Sequence, residues 1–160
     1  MTQHYIRYEV VPLNEILSEI EQHSTVDMRK IQRPNGYWVG VTGLRLNTFL
    51  RASKSPYGMK CVACGLEATH FAVETSHGQS STHLNLYGKK NDTEVLFTAD
   101  HILARALGGG NSPSNLQMMC SPCNGKKGKI EGKEAERRRE EKPKKQHGVP
   151  YGNCSKPSTT

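Results

Sequence analysis

The chain has 160 residues, of which 22 are Lys or Arg and 15 are Asp or Glu, so its formal charge is +7. Only 34% of the residues are hydrophobic, and 15 Gly with 8 Pro indicate much loop, which argues against a single core along the full length. Small domains of this kind often depend on a metal or on disulfides. No apolar run approaches the roughly 18–20 residues of a membrane span, and the first ten residues lack an apolar signal-peptide core. We therefore expect no membrane partner and a cytoplasmic location.

The segment 1–58 contains short regular elements in which we find no chemistry. We expect a strand at 8–11, a helix that begins near Pro12, a turn at 33–36, a strand at 37–41 and a helix at 45–53. The first helix follows from the helical spacing of Leu13, Ile16, Leu17 and Ile20, and the second is expected to bury Leu46, Phe49 and Leu50. We assign 1–58 as an N-terminal extension of unknown role.

Residues 59–130 hold most of the Cys, His and Gly. The stretches 83–88 and 93–100 have the composition of two strands, and the turn-rich tetrapeptide at 89–92 joins them into a predicted β-hairpin. The second strand ends in Asp100 and His101, and three glycines at 108–110 follow as a turn. A more regular segment begins at 116–120. The hairpin therefore delivers an acid and a histidine to one strand end.

Other histidines precede this pair. The spacing of His70, His77 and His83 matches no metal-ligand motif, and we expect structural roles for them. His147 belongs to the basic tail.

The segment 131–160 is predicted to be a basic, flexible tail. Residues 124–145 carry 10 Lys or Arg against 5 Glu, which suits a polyanion such as nucleic acid but also a solvated charged tail. The part from 131 onward has almost no apolar residue, and it could form an exposed helix supported by a Glu134–Arg138 pair and ended by Pro143. Charge alone leaves both interpretations open.

Four cysteines form two CxxC pairs, Cys61 with Cys64 and Cys120 with Cys123. Two such pairs indicate tetrahedral thiolate coordination of a structural Zn²⁺. A disulfide framework would need an oxidising compartment, and a thioredoxin-like redox pair would need only one CxxC in a βαβ setting. The 55 residues between the two pairs contain the hairpin and the Asp100–His101 pair, so the metal would close a long loop around them. Cys154 is expected to be a free thiol.

Hydrolysis of a phosphodiester needs an activated water, neutralisation of developing charge and a proton for the leaving oxygen. A histidine can take the proton from water, and one hard metal ion can serve the other two needs. His101 and the carboxylate of Asp100 suit these roles if the chain turns at that pair, because adjacent strand residues face opposite ways. Asn124 could supply a second oxygen ligand, although it could instead cap a helix. Lys126 and Lys127 suit phosphate contacts.

The pattern CVAC … ADHILARALGGGNSPSNLQMMCSPCNGKKGK resembles the HNH endonucleases, the ββα-metal nuclease group, in their four-cysteine zinc form. The resemblance covers about 59–130. It implies an α+β fold: a small ββα-metal HNH module closed by a structural zinc, with an N-terminal α/β extension and a basic C-terminal tail.

The resemblance also implies roles for individual residues. His101 would be the general base, and Asp100 and Asn124 would be ligands of the catalytic divalent ion. Asn115 would hold the loop and orient the histidine through backbone contacts, and Arg105 would contact phosphate. Many members have His where this chain has Asn124, so the motif here is H-N-N, with a weaker neutral oxygen ligand.

The sequence thus predicts a metal-dependent DNA endonuclease with Zn²⁺ as structural ion and Mg²⁺, Mn²⁺ or another divalent ion as catalytic ion. The alternative is a zinc-stabilised DNA-binding module without catalysis. A zinc nucleobase deaminase is excluded because its H-x-E signature and open zinc position are missing. The resemblance implies the cytoplasm of a bacterial or phage-infected cell. Target, biological role and the choice between monomer and homodimer stay open.

Overall fold

The computed structural model describes residues 5–23, 30–79 and 81–141. The predictions made for Pro143, His147 and Cys154 concern residues outside that part of the chain. The described residues contain, in chain order, β1 (Tyr5–Pro12), α1 (Leu13–Gln22), β2 (Lys30–Gln32), β3 (Trp38–Gly40), α2 (Leu44–Ser53), β4 (Ala68–Ser76), β5 (Thr82–Lys90), β6 (Thr93–His101), β7 (Leu116–Cys120) and α3 (Ser121–Glu140). Two short 3-10 turns, Arg105–Leu107 and Pro113–Asn115, lie between β6 and β7. The predicted α+β class is confirmed.

All these strands belong to one mostly antiparallel sheet. Strands β4, β5, β6 and β7 are neighbours in that order, and β1 pairs with the outer edge of β4. The short β2–β3 pair joins the start of β5 through a parallel bridge between Val39 and Thr82. The sheet therefore crosses residue 58, and the N-terminal extension contributes three of its strands. The domain boundary at that residue stays a prediction.

One hydrophobic core runs through most of the described chain, from Val11 to Cys120. Phe49 of α2, Phe71 of β4 and Phe97 of β6 are fully buried in it. The expectation from composition concerned the full length of the chain, and the buried residues of this core end at Cys120, at the start of α3. The sheet joins distant segments, so few apolar residues suffice to cover one continuous surface.

The β5–β6 hairpin is confirmed, with a tighter turn than expected. Lys90 pairs with Thr93, so the connection is only Asn91 and Asp92. Both have positive φ, 47° and 58°, as a type I′ two-residue turn requires. Asn and Asp tolerate this conformation better than other non-glycine residues.

Strand β4 is missing from the sequence-based prediction. From Ala68 to Thr75 it is buried at nearly every position, because β1 and β5 flank it and both of its faces are covered. A strand buried on both faces has no alternation of polar and apolar residues. Its Thr, His and Glu residues further hide it from a hydrophobicity pattern.

Helix α3 begins at Ser121, with Pro122 in its first turn, a position that proline favours. Asn124 therefore lies inside the helix, and the alternative that it caps the helix is wrong. The predicted Glu134–Arg138 pair is present, at 2.6 Å, and the helix continues to Glu140, ten residues into the segment assigned as a tail. None of the helices in the described residues is long and apolar enough to cross a membrane.

Candidate functional site

The candidate site lies where β6 ends against α3. Asp100 and His101 pair with Gln117 and Leu116 of β7, so β6 continues through His101. The chain bends only at Ile102, so the turn expected at the Asp100–His101 pair is not there, and adjacent strand residues face opposite ways. Asp100 is buried at 8% exposure, whereas His101 is partly exposed. A buried carboxylate beside a more accessible imidazole is the arrangement that this strand end provides.

The imidazole of His101 has a partner that sequence reasoning missed. Its Nε2 lies 2.9 Å from Oδ1 of Asn111. An amide oxygen only accepts hydrogen bonds, so this contact is a hydrogen bond in the tautomer that carries its proton on Nε2, and in that tautomer Nδ1 is the unprotonated nitrogen. Asn111 follows the three glycines directly. The sequence feature that could have pointed to its contact with His101 is the short separation of the two residues along the chain.

Asn115 holds the loop between β6 and β7. Its side-chain oxygen accepts from the backbone N–H of Leu103 at 2.9 Å, and its Nδ2 donates to the carbonyls of Leu103 and Gly110 at 3.1 and 2.9 Å. Its backbone carbonyl accepts from Ile102 at 2.8 Å. These four bonds tie the chain after β6 to the start of β7, and the role of Asn115 in the reaction stays a prediction. The ring of His101, however, is bonded to Asn111.

Asn124 is anchored to β6 from the first turn of α3. Its Nδ2 donates to Oγ1 of Thr98 at 2.9 Å. Thr98 lies two residues before Asp100 and on the same face of the strand, so α3 covers the face to which Asp100 belongs. Among the described residues, no hydrogen bond is made to Oδ1 of Asn124 or to Oδ1 of Asp100. These two oxygens are the ligand type that a hard divalent ion takes, so the donor set fits such an ion.

The other carboxylate oxygen of Asp100 is occupied. Gln117 Nε2 donates to Asp100 Oδ2 at 2.8 Å, and Lys127 Nζ lies 3.1 Å from the same oxygen. Lys127 also donates to the carbonyl of His101 at 2.6 Å and pairs with Glu131 at 2.7 Å. Burial acts to lower the pKa of Lys127, but the bonds to Glu131 and Asp100 outweigh it and the pKa is raised. Lys127 is therefore cationic at neutral pH.

The other two predicted phosphate-contacting residues are exposed. Arg105 lies in the 3-10 turn after β6, which packs against α3, and Lys126 lies one residue before Lys127 on that helix. Within the described residues neither side chain has a hydrogen-bond or ion-pair partner. Both are free to meet an anion, whereas Lys127 has partners within the protein.

The four cysteines meet at one point, between residues 61–64 and the start of α3. The sulfurs of Cys61, Cys64, Cys120 and Cys123 all lie within 4.8 Å of one another. The first knuckle is closed by a bond from Gly65 N–H to the carbonyl of Cys61, and Gly65 takes the positive φ of +73° that such a turn needs. The backbone N–H of Cys120 donates to Sγ of Cys61 at 3.3 Å.

The thiol electrostatics fit a bound cation. Burial acts to raise the pKa of Cys61, but backbone N–H donors from Cys120, Ala63 and Cys64 outweigh it and lower the pKa to about 7. Burial raises the pKa of Cys120 to about 12. Without a cation, sulfurs this close cannot all ionise, and a divalent metal is what allows four thiolates to share one site. The cluster could therefore bind zinc.

The family model described as HNH endonuclease matches residues 86–139. The match runs from β5 to the end of α3, about a third of the chain, and contains Asp100, His101, Asn115 and the second cysteine pair. It confirms, for this segment, the resemblance inferred from the motif. No curated protein and no solved structure matches the chain. The match supports a nuclease and implies a nucleic-acid substrate.

Proposed function

We infer that the chain is a metal-dependent endonuclease that hydrolyses DNA phosphodiester bonds. The observation that carries this inference is the contact between the His101 ring and Asn111. Nε2 of His101 lies 2.9 Å from Oδ1 of Asn111, and a ring that donates this bond keeps Nδ1 available to accept a proton. A non-catalytic binding module has no need of a histidine prepared in this way.

In this mechanism His101 takes a proton from the attacking water, and Asn111 keeps the imidazole in the required tautomer. Asp100 and Asn124 would hold the divalent ion, Mg²⁺ or Mn²⁺. When bound, that ion stabilises the charge that develops on the phosphate and the leaving oxygen. Asn115 keeps the loop after β6 in place. Arg105 and Lys126 neutralise phosphate charges beside the scissile bond.

The four-cysteine cluster would hold Zn²⁺ in a structural role, because four thiolates leave no position for water. It joins residues 61–64 to the junction of β7 and α3, and so fixes the helix that carries Asn124. One zinc ion per purified chain is expected in elemental analysis. A chain that folds fully without zinc would contradict this assignment.

The test is cleavage of supercoiled plasmid in the presence of Mg²⁺ or Mn²⁺ by the wild-type chain and by His101→Ala. Loss of a general base is expected to lower the rate by about 10²- to 10⁴-fold. The matched control is His77→Ala, an exposed histidine in the turn after β4, which should cleave at the wild-type rate. Unchanged cleavage by His101→Ala would remove the proposed base.

The same assay decides between the enzyme and a zinc-stabilised DNA-binding module. That alternative predicts DNA binding with a steep salt dependence and no cleavage with any divalent ion. The first product also reports strandedness: an open circle indicates nicking by one site, and a linear product indicates two sites acting together.

A further inference from the structure

One stripe of α3 faces the end of β6. Asn124, Lys127 and Glu131 lie three and four residues apart, which places them on the same side of the helix. Asn124 contacts Thr98, and Lys127 contacts both Asp100 and Glu131. The ammonium group of Lys127 therefore lies between two carboxylates, one from the strand and one from its own helix.

The ammonium of Lys127 makes three contacts at once. They join Nζ to Asp100 Oδ2 at 3.1 Å, to the carbonyl oxygen of His101 at 2.6 Å and to Glu131 Oε1 at 2.7 Å. The contacts with His101 and Glu131 are hydrogen bonds, and the contact with Asp100 is an ion pair. The side chain of Asp100 is only 9% exposed, and a carboxylate at that depth needs a counter-charge. Lys127 supplies that charge.

A divalent ion at Asp100 would meet this ammonium as a like charge, and the two would compete for one carboxylate. Lys127 has another possible partner in a DNA phosphate, which an ammonium binds as a point charge, and its flexible four-carbon stem allows the group to move. Glu131 would stay paired with the ammonium during that movement. The lysine could thus leave Asp100 without losing all of its counter-charge.

We propose that Lys127 is a positioning residue that couples the two ligands of the site: it neutralises Asp100 while DNA is absent and moves to a phosphate when DNA binds. This deepens the proposed function and rests on it. Since coupling between two ligands is reciprocal, DNA raises the affinity of the site for the divalent ion, and the ion raises the affinity for DNA by the same factor.

The experiment measures Mn²⁺ binding by isothermal titration calorimetry, on zinc-loaded full-length chain that carries His101→Ala to prevent cleavage. Titrations are made with and without a short DNA duplex. Lys127→Gln removes the charge but keeps a hydrogen-bond donor, and Glu131→Gln removes the second partner of the ammonium. Lys133→Met is the matched control, because Lys133 is exposed on α3 and has no partner among the described residues. Zinc content and thermal unfolding verify that each variant is folded.

Without DNA, Lys127→Gln is expected to bind Mn²⁺ roughly five- to tenfold more tightly than its parent, and to respond less to DNA. Glu131→Gln is expected to bind Mn²⁺ more weakly, because the ammonium then depends more on Asp100. Lys133→Met should match the parent. A lysine that only stabilises the fold or only contacts phosphate would not strengthen metal binding when its charge is removed.

Equal or weaker Mn²⁺ binding by folded Lys127→Gln would overturn the coupling, while His101-dependent cleavage by the wild-type chain would still uphold the nuclease. If Lys127→Gln does not fold, Glu131→Gln decides: an unchanged Mn²⁺ affinity overturns the coupling. Absence of Mn²⁺ binding in every variant, with and without DNA, would overturn both the coupling and the metal-dependent nuclease.

Discussion

The contact between His101 Nε2 and Asn111 Oδ1 favours the tautomer with its proton on Nε2, in which Nδ1 can act as base. If the bond is lost, the imidazole can rotate and can place its proton on either nitrogen. Asn111→Ala is therefore expected to lower kcat roughly ten- to a hundredfold, the equivalent of one hydrogen bond of about 1–3 kcal/mol. KM should change little, because substrate contacts remain. Steady-state cleavage kinetics on a defined duplex measure both constants.

Two controls accompany Asn111→Ala at the residue scale. Asn111→Asp keeps an oxygen acceptor, so it should retain more activity than Asn111→Ala. Ser114→Ala alters a nearby exposed side chain whose hydroxyl, within the part of the chain that the structure describes, bonds to Ser112 alone, and it should leave kcat unchanged. If KM rises while kcat stays constant in Asn111→Ala, the residue binds substrate and does not position the base.

At the scale of elements, the loop between β6 and β7 depends on one close approach at Gly109. A Cβ built there would lie 1.8 Å from the carbonyl oxygen of Leu103 and 2.9 Å from Nδ2 of Asn115, whereas one at Gly110 meets nothing within 4 Å. Gly109→Ala must therefore displace the backbone that Asn115 holds. We expect a loss of stability of about 1–3 kcal/mol and slower cleavage.

Gly110→Ala is the matched control for this loop, because it lies one residue away, has no positive φ and has open space where the added Cβ would lie. It should stay within about 0.5 kcal/mol of the wild type. Chemical denaturation of the two variants gives the comparison. Equal stability of both variants would show that the loop can relax around a methyl group, and the proposed packing would be wrong.

At the scale of the whole molecule, the N-terminal extension is integrated into the fold that carries the site. Arg51 of α2 donates to the backbone carbonyls of Pro113 and Leu116, the latter at 2.9 Å, and Leu116 pairs with His101. Arg7 of β1 bridges Glu74 and Glu94 on β4 and β6, both at 2.8 Å. The extension thus supports the nuclease segment through side chains as well as through the sheet.

Arg7→Met is expected to lower the free energy of unfolding by about 3 kcal/mol. The reason is that Glu74, which is fully buried, would lose its counter-charge, and breaking a buried ion pair from one side is strongly destabilising. Arg7→Met combined with Glu74→Gln should recover part of the loss. The control Arg138→Met breaks the exposed pair with Glu134 and should cost much less than Arg7→Met. Urea denaturation measures the free energy of unfolding of the wild type and of these three variants.

The ion pair between Arg7 and Glu94 predicts that the stability of the fold depends on pH. The hydrogen bond from Arg7 lowers the pKa of Glu94 below its ordinary value. A lowered carboxyl pKa contributes stability in full above the unfolded-state value of about 4.3 and loses it as the pH falls through the folded-state pKa. The difference in Tm between wild type and Arg7→Met should therefore shrink as the pH falls from the unfolded-state pKa of Glu94 through its lower folded-state pKa. A constant difference would argue against the ion pair as its cause.

Much of the fold could be predicted because its signals are local. The spacing of Ile16 and Ile20 predicts α1, strand-like composition around a turn-rich tetrapeptide predicts β5 and β6, and two CxxC pairs predict a shared metal site. Strand β4 could not be predicted, because burial on both faces removes alternation. The continuity of the core across residue 58 could not be predicted, because composition does not reveal which segments pair.

For the site, the sequence by itself determined the chemical inventory: an acid and a histidine at a strand end, two asparagines downstream, and four cysteines in pairs. It could do so because residue type and short spacing are properties of the chain alone. Only the tertiary structure decided which groups meet. The bond from Asn111 to His101, the contact of Lys127 with Asp100 and the bridge from Arg7 to Glu74 join different elements, and such contacts exist only once those elements pack together.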